Sequence, residues 1–113
     1  MCKPWIREAT QSVLEAILFE RRRQHIKWGE QNHPDGTGLF ISDHISLDLA
    51  RHNYQQNVKD GVLTWRDILA EEYFEVLCED NKSNLEDELI QLAAVATAWV
   101  EKLRRERANN PAF

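Results

Sequence analysis

Basic residues are in short supply. The 113-residue chain carries 14 Lys and Arg against 19 Asp and Glu, a formal net charge of −5. Binding a nucleic acid through its phosphates takes a basic surface, so nucleic acid is excluded as the main partner. A single nucleotide is not excluded, because metal ions can bridge its phosphates to acidic side chains. Cysteine is scarce too. Cys2 and Cys78 lie far apart and form no CxxC or zinc spacing, which points to free thiols in a reducing compartment. The apolar run Leu89–Val100 is too short to cross a bilayer and contains Gln91. At the other end, Lys3, Pro4, Arg7 and Glu8 interrupt any signal-like stretch within Met1–Thr10. A cytoplasmic protein with no membrane partner is expected. Of the four glycines, three fall in the single stretch Gly29–Gly38, and β-alternating runs are few.

What is present is helical periodicity in a chain that is 42% hydrophobic and 29% charged. Its length suits one domain, 1–113, with a frayed tail over about 108–113. Ile6, Val13, Leu14, Ile17 and Leu18 give an apolar stripe over a first helix, Ile6–Lys27, which ends in Arg21, Arg22, Arg23 and Lys27. The loop GEQNHPDGTG follows. A second helix is expected from Ser42 or Asp43 as N-cap to Val58, and Gly61 then breaks the chain. The third starts at Thr64, where Asp67 completes a capping box and Leu63 with Ile68 would form a hydrophobic staple, and runs through Glu79. The fourth is expected from Ser83, with Glu86 as its box partner, and ends in Lys102, Arg104, Arg105 and Arg107. The fold class is therefore all-α, a four-helix bundle. The short third connection makes the third and fourth helices antiparallel neighbours. Tyr73, Phe74, Val76 and Leu77 on one, with Leu92, Val95, Ala96 and Trp99 on the other, leave helices apolar nearly all round. In so small a chain a second protomer is the natural cover, and an obligate oligomer is expected.

The chemistry sits on these two helices. Glu72 and Glu75 share a face about 4.5 Å apart along the axis, flanked by Glu71 and Glu79. Glu88 and Gln91 repeat that spacing on the fourth helix. Glu75 and Glu88 lie equally far from the turn midpoint between Asn81 and Lys82, and so do Glu72 and Gln91. The two pairs can thus stand level across the interface, which fixes height but not rotation. Three carboxylates and an amide meeting there need a counter-charge, and a hard cation such as Mg²⁺ supplies it. A metal so held neutralises phosphate and activates water. The plainer alternative is a solvated acidic face, with Glu86, Asp87 and Glu88 serving the helix dipole.

EEYFE at Glu71–Glu75 followed by ELIQ at Glu88–Gln91 resembles the MazG-like, all-α nucleoside triphosphate pyrophosphatases, whose signature is EExxE on one helix and ExxD on the next. The match covers roughly residues 68–99. ERRRQHIKWGEQNHPDGTG and WRDILAEE look like a small branch of that group found in bacteria and phages. The resemblance implies an Mg²⁺-dependent reaction, with Mn²⁺ as a substitute, that cleaves an NTP or dNTP to its monophosphate and pyrophosphate. It implies a homodimer or homotetramer of helical protomers. It implies metal ligation by Glu72, Glu75 and Glu88, and a Glu71 that orients or deprotonates the attacking water. The fourth ligand position holds Gln91, where the family has Asp. An amide oxygen can coordinate Mg²⁺ but brings no charge and cannot act as a base. Either three charged ligands suffice, or Asp87 or Glu79 compensates, or the reaction is lost.

Substrate contacts have candidates in the glycine-rich loop and just before it. Trp28 can stack on a base, Asn32, His33 and Asp35 offer polar contacts, and Arg23 and Lys27 can reach phosphates. A structured turn and a solvated helix end explain the same residues without a ligand. The glycines do not form a P-loop, and Glu30 with His33 is a single ExxH in a loop, unlike a di-iron bundle. The competing function is a non-catalytic helical protein that dimerises and binds a nucleotide or a protein partner.

Overall fold

A computed structural model describes residues 4–113. The described residues form four α-helices, α1 (Arg7–Trp28), α2 (Ile41–Lys59), α3 (Trp65–Cys78) and α4 (Lys82–Asn109), and no strand. None of the four is long and apolar enough to cross a membrane. Cys2, expected as a free thiol, lies outside the described residues, and Cys78 is free.

The chain divides into two compact units, one made of Met1–Pro34 and Thr97–Phe113, the other of Asp35–Ala96. In the first, Trp5 Nε1 donates to Thr10 Oγ1 (3.0 Å), and that hydroxyl donates to Glu101 Oε2 (3.1 Å). Arg104 Nη1 donates to Ser12 Oγ (3.1 Å), so α1 is tied twice to the second half of α4. Val13 and Thr97 are buried. α1 stops at Gly29, whose φ of 69° ends the helix while its N–H bonds to the His25 carbonyl (2.7 Å).

The second unit holds the packed pair α2–α3, with Leu47, Ala50, Val76 and Leu85 buried. The capping box at Thr64 is present. Thr64 Oγ1 accepts from the Asp67 N–H (3.2 Å), and Asp67 Oδ2 accepts from the Thr64 N–H (3.0 Å). Asn57 Nδ2 also donates to Asp67 (2.9 Å), which joins the end of α2 to the start of α3.

Two helix starts differ from expectation. α2 begins one or two residues before Ser42 and Asp43, with Phe40 as its N-cap and no side-chain cap. The Phe40 carbonyl instead takes the Asp43 N–H (3.1 Å). α4 is capped not by Ser83 but by Asn81, whose Oδ1 accepts from the Asn84 N–H (3.0 Å). Asn and Ser cap about equally well, and here Glu79 Oε1 also holds the Asn81 N–H (3.1 Å), which favours the earlier cap. Beneath this turn the Gly38 N–H bonds to the Leu77 carbonyl (2.8 Å) at φ 76°, and a Cβ on Gly38 would stand 2.9 Å from Asp80 Cβ.

Candidate metal centre

The capping box sets where α3 starts and hence the phase of its acidic face. The three-residue connection 79–81 then returns the chain, so that Glu88 of α4 comes within electrostatic reach of α3. Burial, which disfavours the charged form, raises the Glu88 carboxyl above its ordinary pKa. Glu79 and Glu75 raise it further, Glu79 also through a side-chain hydrogen bond, and Glu72 adds a smaller push. Glu72 is raised by burial and then by Glu75 and Glu71. Glu71 is raised by burial and by Glu75, while Arg51 acts in the opposite sense. Glu71, Glu72, Glu75, Glu79 and Glu88 therefore form one acidic cluster within the second unit. Glu79 bears on Glu88 more strongly than Glu75 does.

Two atoms in this cluster stand out. Glu72 Oε2 and Glu88 Oε2 are buried and have no hydrogen-bond partner. A buried carboxylate oxygen without a partner is costly and calls for an ion, a water or a proton. The donor chemistry, carboxylate oxygen throughout, is that of a site for Mg²⁺ or Mn²⁺. Among the described residues, no three His, Cys, Asp or Glu side chains converge as a ready-made metal group.

The remaining expected residues are distributed as follows. Gln91 is exposed and Asp87 is exposed. Arg23, Lys27 and Trp28 come together in the first unit, where they line a shallow concavity with Glu20 and Gln24. Lys27 Nζ lies 4.9 Å from the Trp28 ring centroid, and Arg23 pairs with Glu20 (2.8 Å). Asn32 donates to Glu30 (3.3 Å), and His33 is exposed. Asp35 belongs to the second unit and is taken by Lys82 at 2.7 Å, a contact that raises the Lys82 pKa.

Sequence reasoning missed the contribution of α2. Arg51 Nη2 stands 3.5 Å from Glu75 Oε1. Asp43 and Asp48 lie near enough to Cys78 to help raise its thiol, whose main cause is burial. No spacing within one helix reveals these neighbours, because they depend on how α2 packs on α3.

Fold and site thus define a class: an all-helical protein with a cluster of five glutamates and two orphaned carboxylate oxygens. Comparison with family models, curated proteins and solved structures returns no match.

Proposed function

We propose that the protein is a divalent-metal-dependent nucleotide pyrophosphohydrolase of the MazG-like kind, converting an NTP or dNTP to its monophosphate and pyrophosphate. The observation that carries this reading is the pair of buried, partnerless oxygens on Glu72 and Glu88, inside a cluster that already holds Glu71, Glu75 and Glu79. Glu72, Glu75 and Glu88 would hold Mg²⁺ or Mn²⁺, and Glu79 supplies the carboxylate that position 91 lacks. When bound, the metal neutralises phosphate charge and polarises the water that attacks. Glu71 is the proton acceptor. Burial and the neighbouring Glu75 raise its carboxyl above the ordinary value in the metal-free protein, which makes it a stronger base. Within the first unit, Trp28 presents an exposed ring beside the cations of Lys27 and Arg23.

The protein works as a homodimer or homotetramer in the cytoplasm. Support comes from Ile41, Ile45 and Leu49, one turn apart on α2 and exposed, and from exposed Leu89 and Ile90 on α4. The alternative reading is a helical protein that has lost catalysis and binds a nucleotide or a protein. It rests on one observation: Gln91 is an amide and faces solvent. Incubation with Mg²⁺ and a panel of NTPs and dNTPs, followed by a pyrophosphate assay, separates the two. The enzyme releases pyrophosphate, and Glu75→Gln and Glu88→Gln abolish the release. A binding protein releases none, and a Gln91→Asp variant that gains activity would identify a degenerate site.

A further inference from the structure

The acidic cluster has a cation of its own. Arg51, 24 residues before Glu75 and on a different helix, reaches Glu75 through one guanidinium nitrogen at 3.5 Å. The contact is long and single. The Arg51 side chain is 49% exposed, while Glu75 is 20% exposed. A guanidinium has five N–H donors in a fixed fork, so one long contact leaves most of that fork free toward solvent. An exposed pair of this kind is weak and easily exchanged for a better one.

The cluster also needs more positive charge than Arg51 provides. Two buried oxygens, on Glu72 and Glu88, remain without partners while Arg51 is in place. A divalent cation that engaged Glu75 together with these oxygens would compete with Arg51 for Glu75. The displaced fork would then lie beside a metal-bound phosphate chain, an anion whose geometry a guanidinium matches in bidentate fashion.

We propose that Arg51 is a displaceable counter-ion. It holds Glu75 while the acidic cluster is without metal, and it turns to the substrate's phosphate chain once a divalent cation takes Glu75. This inference rests on the metal-dependent reading of the cluster.

The test measures binding rather than turnover, on wild type, Arg51→Gln and Arg51→Lys, each checked for unchanged helicity. In calorimetric titration with Mn²⁺ alone, Arg51→Gln should bind about fivefold more tightly, because a competing cation of surface-pair strength is gone. Arg51→Lys, which keeps the charge, should stay close to wild type. In titration of the Mn²⁺-saturated protein with inorganic tripolyphosphate, Arg51→Gln should bind at least about tenfold more weakly. Arg51→Lys should fall between, because an ammonium lacks the fork. Unchanged or weaker Mn²⁺ binding by Arg51→Gln overturns the inference. So does tighter Mn²⁺ binding with tripolyphosphate affinity unaltered, since Arg51 would then be only a structural partner of Glu75. A wild type that binds no Mn²⁺ overturns the metal reading itself and this inference with it.

Discussion

Glu88 should destabilise the metal-free protein at neutral pH. Its carboxyl is partly buried, one oxygen has no partner, and Glu79, Glu75 and Glu72 surround it with like charge. The sign follows from linkage. A carboxyl whose pKa is higher in the folded than in the unfolded chain binds its proton more tightly when folded. Its stabilising contribution is complete below the ordinary value of 4.5 and is lost as pH rises through the folded-state value. Glu71 and Glu72 act in the same direction, so metal-free stability should increase on acidification from pH 7.5 toward 5. Asp67 opposes this only in a lower window. Its hydrogen bonds to Asn57 and Thr64 depress its pKa, so its contribution is present above 3.8 and is lost as pH falls through the folded value. Leaving a buried charged group unpaired costs about 1–3 kcal/mol, and the partial exposure of Glu88 brings the estimate to about 1 kcal/mol. Glu88→Gln should therefore raise Tm at pH 7.5 by about 4 °C without metal and flatten the pH dependence. Mg²⁺ should raise the wild-type Tm at pH 7.5 more than at pH 5, and should not raise that of Glu88→Gln. Thermal unfolding by circular dichroism, with and without Mg²⁺, reads all of these. A Glu88→Gln Tm at or below wild type at pH 7.5, with the same pH profile, would refute the electrostatic reasoning.

Further expectations concern single positions. Thr64→Ala removes the acceptor for the Asp67 N–H and should cost about 1 kcal/mol in chemical denaturation, with an unchanged slope. Gly38→Ala places a Cβ 2.9 Å from Asp80 Cβ at a positive φ, and should cost about 2 kcal/mol or more. Its neighbour Gly36→Ala meets no atom within 4 Å and should cost less, through backbone strain alone. Glu79→Gln should weaken Mn²⁺ binding in calorimetry, because Glu79 bears on Glu88, whereas Gln91→Ala, at an exposed position, should leave it unchanged.

The local signals carried most of the helix pattern. Thr64 and Asp67 announce α3 because a capping box is a contact between residues three apart, fully specified by sequence. The start of α4 was harder to read. Ser83 with Glu86 and Asn81 with Asn84 are competing caps two residues apart, and the Glu79 side chain favours the earlier one by bonding the Asn81 N–H. The α2 start left no side-chain signal, since Phe40 uses only its backbone carbonyl. The acidic face of α3 was legible from i, i+3 spacing, and the short turn brought Glu88 to it. Spacing fixes height but not rotation, however, so it could not show that Glu79 lies against Glu88 or that Gln91 faces solvent. Arg51 was beyond any pattern on one helix, because its meeting with Glu75 is made by the packing of α2 on α3.

The most direct test of the central claim is product analysis of nucleotide turnover. Purified protein is incubated with each NTP and dNTP in Mg²⁺, and the products are resolved by anion-exchange chromatography. For at least one nucleotide, nucleoside monophosphate and pyrophosphate should appear in equal amounts. Chelation should stop the release, and Glu75→Gln and Glu88→Gln should abolish it. No product from any nucleotide, release that persists without metal, or diphosphate with inorganic phosphate in place of pyrophosphate would contradict the central claim.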